Sequence, residues 1–399
     1  MKKSVIVLAL LSISTRTFAQ SAVTLYGIVD EGVNYTSNAG WHNLYNLSSG
    51  VMQGTRWGLR GVEDLGGAMK AIFLLESGFD VNTGSLGVKN RGSTQGLLFG
   101  RQAYVGLSNQ FGTLTFGRQY DSVVDYVGQF EVADQGGGYI AAHPGDLDNF
   151  NNTYRTNNAI KFTSVKYGGI SFGGVYSLGG VAGDVSRNQV WSLGAGYTAG
   201  AVSVGAGYLN VRNANVSFFG DNGASTAVTP AANFISSPVV SGFASAHTYQ
   251  VIAAGGAFTV GSATIGATYS NVQFRGLGDA GTSGPNPRGY SGNATFNNAE
   301  LNFRYQITPA LLVDTGVNYT KGNDVTVPGG VNGGAKYYQG SLGVDYFLSK
   351  RTDVYVIGVY QKASGTDSTG ATAVASINGL TPSTSDRQAA VRIGIRHKF

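Results

Sequence analysis

Residues 386–399 set Val391, Ile393, Ile395 and Phe399 on one side of an extended chain, and Arg392, Gly394, Arg396 and Lys398 on the other. Successive side chains of a strand point to opposite faces. An apolar face set against a cationic one, ending on an aromatic carboxy-terminus, suits a strand with lipid on one side and water on the other. A soluble strand buries its apolar face and rarely lines the opposite one with cations.

The same alternation returns along the chain in segments 23–35, 55–64, 68–79, 97–109, 113–120, 158–167, 170–178 and 189–199. It continues in 201–211, 247–258, 262–274, 296–306, 310–321, 336–347, 351–361 and 386–399. Tight links such as Leu65-Gly66-Gly67, Gly168-Gly169, Val260-Gly261 and Thr308-Pro309 carry turn chemistry. They alternate with long polar links at 121–157, 212–246 and 275–295. Hairpins with one tight and one elaborate end describe an outer-membrane barrel. The expected fold is all-β, a transmembrane antiparallel barrel of about sixteen strands. Strands of roughly eleven residues, turns of about three and loops of about twenty sum to roughly 360 residues. Sixteen strands leave an aqueous lumen.

Asp30, Arg56, Arg60, Lys161, Arg304, Asp314 and Arg392 oppose the apolar faces of their strands and are expected to face a wet interior. A soluble β-sandwich would instead need those apolar faces buried in one common core. Aromatics near strand ends, among them Tyr35, Phe79, Tyr167, Tyr197, Tyr269, Tyr319 and Phe347, fit the girdles of a membrane barrel. Glu31 departs from the pattern, because the phase that turns Val23, Leu25, Val29 and Val33 outward also turns it outward.

Lys2 and Lys3, an apolar run from Val5 to Leu11, and Thr17-Phe18-Ala19 read as a secretory signal over residues 1–19. Residues 20–399 are then the barrel domain. Beyond the leader no apolar stretch is long enough for a spanning helix, so any membrane is crossed by strands. There is no cysteine, which excludes disulfides and thiolate metal sites. With 61 Gly and 22 Tyr but only 12% charged residues, the composition suits turn-rich, interface-seeking strands. Subtracting Lys2, Lys3 and Arg16 from the formal +5 leaves about +2, so the high pI is weak support for a nucleic-acid partner. None is expected.

Several strings together carry a family likeness. Val23-Thr24-Leu25-Tyr26-Gly27-Ile28-Val29-Asp30, Thr55-Arg56-Trp57-Gly58-Leu59-Arg60-Gly61 and Arg101-Gln102-Ala103-Tyr104-Val105-Gly106-Leu107 resemble the general porins of β-proteobacteria. Leu114-Thr115-Phe116-Gly117-Arg118-Gln119-Tyr120-Asp121 and His397-Lys398-Phe399 do the same. The resemblance implies a homotrimer of sixteen-stranded barrels, the third external link folded into each pore, with Phe399 as the membrane-insertion signal. On that resemblance Asp121, Asp125, Glu131 and Asp134 bring negative charge into the lumen, facing wall cations Arg56, Arg60, Arg101 and Arg155. Alternation alone leaves the facing of Arg101 open, and Arg118 is a candidate anchor for the root of the link. Arg396, Lys398 and Glu76 join the lumen-facing set.

The activity expected is passive diffusion of small hydrophilic solutes and inorganic ions, with an anion preference where cations outnumber acids. A substrate-selective channel of the same architecture, for organic acids, phosphate or sugars, is the alternative. An enzymatic barrel would need a nucleophile with a positioned base, yet His42, His143, His247 and His397 lie apart with no supporting context. No histidine pair has ligand spacing, so neither a cofactor nor a protein metal site is expected; a calcium or magnesium ion on loop carboxylates or lipopolysaccharide phosphates is the open alternative. Outer-membrane lipid and lipopolysaccharide are the expected surroundings.

Overall fold

The computed structural model describes residues 22–87, 94–221, 237–279, 281 and 283–399. The leader expected over residues 1–19 lies outside them, as do stretches of the links that follow Arg212 and Arg275. Strand β1 (Ala22–Ala39) turns directly into β2 (His42–Ser49). Hairpins follow from β3 (Arg56–Gly66) with β4 (Met69–Gly78), and from β5 (Gln102–Asn109) with β6 (Gly112–Gln119). Next come β7 (Thr156–Ser164) with β8 (Ile170–Ser177), and β9 (Val190–Ala199) with β10 (Val202–Arg212). β11 (Ala246–Val260) pairs β12 (Ala263–Leu277), and β13 (Gly292–Thr308) pairs β14 (Leu311–Gly322). A side hairpin of β15 (Val325–Val327) and β16 (Gly330–Asn332) stands apart from the main sheet. The wall is completed by β17 (Lys336–Phe347), β18 (Thr352–Ser364) and β19 (Arg387–Lys398).

The main sheet has 17 strands, yet only sixteen positions run around the wall. One edge of β1 pairs with β3 over Ala22 to Ile28 and then with β2 over Glu31 to Ala39, so β2 and β3 share one position. The bend between them, around Val51 and Met52, turns into the lumen, where Tyr139 donates its N–H to the Val51 carbonyl. The other edge of β1 pairs with β19, from Ile28 opposite Lys398 to Thr36 opposite Ala390, which closes the barrel. Closure leaves no edge strand, so every backbone donor in the lipid zone finds a partner within the wall.

Local chemistry makes the tight ends. Ala199 pairs with Val202, and Gly200 between them has φ +55°, the left-handed conformation that two-residue hairpins require. Outward positions are apolar and open to lipid, as at Leu25, Val105, Leu193, Leu301, Val317 and Ile393. Glu31, outward in the same phase, is half-buried and accepts from the Gly32 N–H and from Asn82 Nδ2 of the link after β4. That link resolves the apparent exception.

Residues 120–155 lie inside the barrel against β8 to β14 and β17. Asn302 Nδ2 holds the Phe130 carbonyl at 2.7 Å, Gln339 Nε2 the Ala141 carbonyl at 2.9 Å, and Tyr249 OH the Leu147 carbonyl at 2.8 Å. Helix α1 (Ser122–Tyr126) lies on inward glycines of β9 and β10. A Cβ at Gly205 would stand 1.9 Å from the Tyr126 carbonyl oxygen, and one at Gly194 would stand 2.4 Å from the Tyr126 ring. Only a bare backbone lets the helix seat there.

The interior is not wet all round. Leu209, Val211, Tyr249, Val251, Val272, Phe274 and Phe296 point inward and are buried under the links, together with Phe218, Phe219 and Phe243. Toward their long-link ends strands β10 to β12 are therefore inverted, apolar inward and polar outward, where Gln250, Asn271, Gln273 and Arg275 hydrogen-bond among themselves or to Asn297 of β13. The links supply a core there that burial makes favourable.

Candidate pore constriction

The open half of the lumen encloses a cavity of about 600 Å³ between the third link and the wall. Arg56, Arg101, Arg155, Arg304, Arg396 and Lys398 border it, against the acids Asp134 and Asp345. Six cations thus face two acids. On the β3–β5 wall Glu76 sits between two of the arginines, 2.8 Å from Arg101 Nε and 3.5 Å from Arg56 Nε. Tyr26 OH donates to Glu76 at 2.8 Å, and Arg101 Nη2 donates to Tyr120 OH at 3.0 Å. The carboxylate spaces two like charges that would otherwise repel by several kcal/mol, taking ~4 kcal/mol at ~4 Å in an effective dielectric of ~20. The inward facing of Arg101, open on alternation, follows from this contact.

Arg155 arrives from the end of the third link. Its guanidinium lies 5.8 Å over the Tyr120 ring and donates to the Thr153 carbonyl at 2.9 Å, while its Nε has no hydrogen-bond partner. Burial, then the like charge of Arg101, weakens its hold on its proton; arginine remains a cation at neutral pH regardless. Arg60 is exposed beyond this group, 5.5 Å from the Tyr26 ring, and does not border the cavity.

Of the four link acids, only Asp134 borders the cavity. Asp121 is fully buried as the N-cap of α1, accepting from the Val123 and Val124 N–H groups and from Asn149 Nδ2. Burial pushes its carboxyl up to about 6. Asp125 pairs with Lys161 Nζ at 2.5 Å, and burial raises its carboxyl against the pull of that cation. Glu131 is fully buried against His143 and Glu300 on the wall side of the link, so its charge does not reach the lumen. Asp121 and Glu131 therefore hold the link, and the physical reason is hydrogen bonding: each faces donors that only the folded link presents.

The remaining wall charges divide similarly. Asp30 and Arg392 are wholly buried in one network, 3.1 Å apart, with Tyr355, Asn34, Ser48 and Gln53 as partners. They face inward yet are sealed from the lumen, contrary to the expectation of free lumen charges. Asp314 is covered by the link, whose Gly136 would place a Cβ 2.1 Å from its carboxylate. Arg304 remains open to the cavity. Arg396 borders it too, bridged to Asp345 at 3.2 Å and Asp353 at 3.1 Å. Arg118 ties the root of the link to Asn157 and Asp221. Sequence reasoning passed over Tyr120, Asp345 and Glu300. Asp345 and Glu300 had a usable signal, each an acid on the polar face of its strand, β17 and β13.

A closed, lipid-facing barrel with a charged cavity narrowed by an internal link defines an outer-membrane channel. The Gram-negative porin model matches residues 4–366, and the chain belongs to that family. It is 28% identical to an outer membrane porin protein of Bordetella pertussis over the full length of both chains. Its fold matches an anion-selective porin from Comamonas acidovorans with TM-score 0.70 at 21% identity, covering 95% of this chain and all of that one. It also matches an outer membrane protein of Vibrio cholerae solved in a trimer form, with TM-score 0.60 at 16% identity, over 95% of this chain and 99% of that one.

Proposed function

We propose that this porin passes small hydrophilic solutes and inorganic ions by diffusion, with a weak to moderate preference for anions. The excess of cations around the cavity carries the reading: Arg56, Arg101, Arg155, Arg304, Arg396 and Lys398 against Asp134 and Asp345. An anion entering the narrow section exchanges hydration for those donors, whereas a cation meets net positive potential. Nothing in this activity requires bond making. The test is reversal potential in a KCl gradient across a planar bilayer, for wild type and for Arg56→Ala with Arg101→Ala. Anion preference in wild type that falls in the double variant supports the reading, and cation preference in wild type overturns it. Openings in threes would support a homotrimer, the assembly in which the Vibrio protein was solved.

Lipopolysaccharide is the proposed outer-leaflet partner. Lys321 stands opposite Lys336, and Lys362 opposite Arg387, all exposed on the lipid side two residues beyond the last outward residues of the apolar face. Like charges directly opposite are destabilising, and phosphate groups at that height offset the repulsion. Lys321→Gln with Lys362→Gln should lower the lipopolysaccharide that copurifies with the barrel. Unchanged lipid content would remove this reading.

A further inference from the structure

We propose that Glu131, His143 and Glu300 form a site for one divalent ion of zinc type that fastens the third link to the barrel wall. Their ligand atoms lie within 4.8 Å of one another, and all three side chains are sealed from solvent. One oxygen of each carboxylate is engaged by the link or the wall, and Asp148 Oδ1 and Asn302 Oδ1 nearby lack a hydrogen bond. Glu131 Oε1 accepts the His143 N–H at 2.8 Å, and Glu300 Oε1 accepts the Val132 N–H and Asn302 Nδ2, each at 2.7 Å. Glu131 Oε2, Glu300 Oε2 and His143 Nε2 are left without a hydrogen bond.

The support around the imidazole is that of a metal ligand. His143 Nδ1 lies 2.7 Å from Asp148 Oδ2, which also accepts from Ser270 Oγ at 2.6 Å. A carboxylate on the distal nitrogen orients the ring and raises its basicity as a ligand. That leaves Nε2 aimed at the carboxylates, 3.3 Å from Glu300 Oε2 and 3.8 Å from Glu131 Oε1. Bond lengths near 2.0–2.1 Å place neighbouring ligands of tetrahedral zinc about 3.3 Å apart. One imidazole with two carboxylates suits zinc, whereas magnesium keeps several of its waters, for which a sealed pocket is unsuited. Without a metal, burial disfavours the imidazolium, but Asp148 and Glu131 outweigh it and hold a proton on the ring.

Because the ligands are sealed, the ion enters as the link closes. The metal-stripped chain is therefore refolded in detergent with zinc chloride and a hundredfold excess of magnesium chloride, dialysed, and its zinc counted by mass spectrometry. About one zinc per chain is expected in wild type and in a His42→Gln, His247→Gln control, with a tenfold loss in His143→Gln and Glu300→Gln. Zinc should also raise the melting temperature of wild type and of the control, and not of His143→Gln or Glu300→Gln. X-ray absorption on the wild-type zinc form, independent of whether the variants fold, should show a nitrogen-and-oxygen shell with one imidazole. Folded wild type that retains no zinc, retention unaffected by His143→Gln, or a shell without imidazole overturns the site.

Discussion

Arg392 offers a direct measure of how the barrel is closed. Its guanidinium, fully buried, donates to Tyr355 OH at 2.7 Å, to Asn34 Oδ1 and Ser48 Oγ at 2.9 Å each, to Asp30 at 3.1 Å and to the Gly32 carbonyl at 3.3 Å. These partners join β19 to β1, β2 and β18 at the closing seam. At 3.1 Å in an effective dielectric of ~20, the pair with Asp30 interacts by about 5 kcal/mol. Arg392→Met removes the cation and leaves Asp30 with Tyr355 OH and the Gln53 N–H as its remaining donors. A buried charge stripped of its partner costs about 3–5 kcal/mol, and part of that loss is common to the two variants. Arg392→Met and Asp30→Asn should each destabilise the barrel by that amount, and the double variant should lose about 2–3 kcal/mol less than their sum. Urea unfolding followed by tryptophan fluorescence, with heat-modifiable gel migration to confirm closure, reads the cycle. Single variants within about 1 kcal/mol of wild type, or strict additivity, would refute the reasoning.

Two further predictions concern the third link. In Gly205→Val the new Cβ needs α1 to retreat about 1 Å to reach the 3.0 Å that real contacts keep; overpacking of this kind costs about 1–3 kcal/mol. The helix is pushed toward the lumen, so single-channel conductance should fall, and conductance equal to wild type would count against the seating. Asp121→Asn keeps a good N-cap while removing a carboxyl raised by burial to about 6. A folded value above the unfolded one means that wild type loses stability as pH rises from about 4 through 6. The variant should match wild type near pH 4 and gain on the order of 3 kcal/mol by pH 8, from 1.36 kcal/mol per unit. Equal urea midpoint offsets at both pH values would exclude a buried Asp121 charge.

The sixteen spanning segments, their facing and the tight ends were legible because each is local. A period-two pattern states which side meets lipid, and Gly200 or Gly261 marks where the chain must take a positive φ. The wall position beside β1 could not be read as two strands, because β2 carries no distinct signal and its place depends on the bend at Val51 and Met52 seating under Tyr139. Glycine at 194 and 205 reads from the sequence as strand weakness, and only the path of α1 gives it purpose.

The charges show the division most clearly. Sequence alone determined that Asp30 and Arg392 point inward, since alternation fixes a side chain's face. Whether an inward charge meets water depends on groups far away in the chain: Arg392 reaches Asp30 across 362 residues, and the Val132 N–H reaches Glu300 across 168. Asp121, Glu131 and Asp134 lie within fourteen residues of one link, and nothing local distinguishes an N-cap, a buried carboxylate and a cavity acid. Tertiary structure decided among them, because a carboxylate goes where donors are gathered, and those donors come together only when the link lies against the wall.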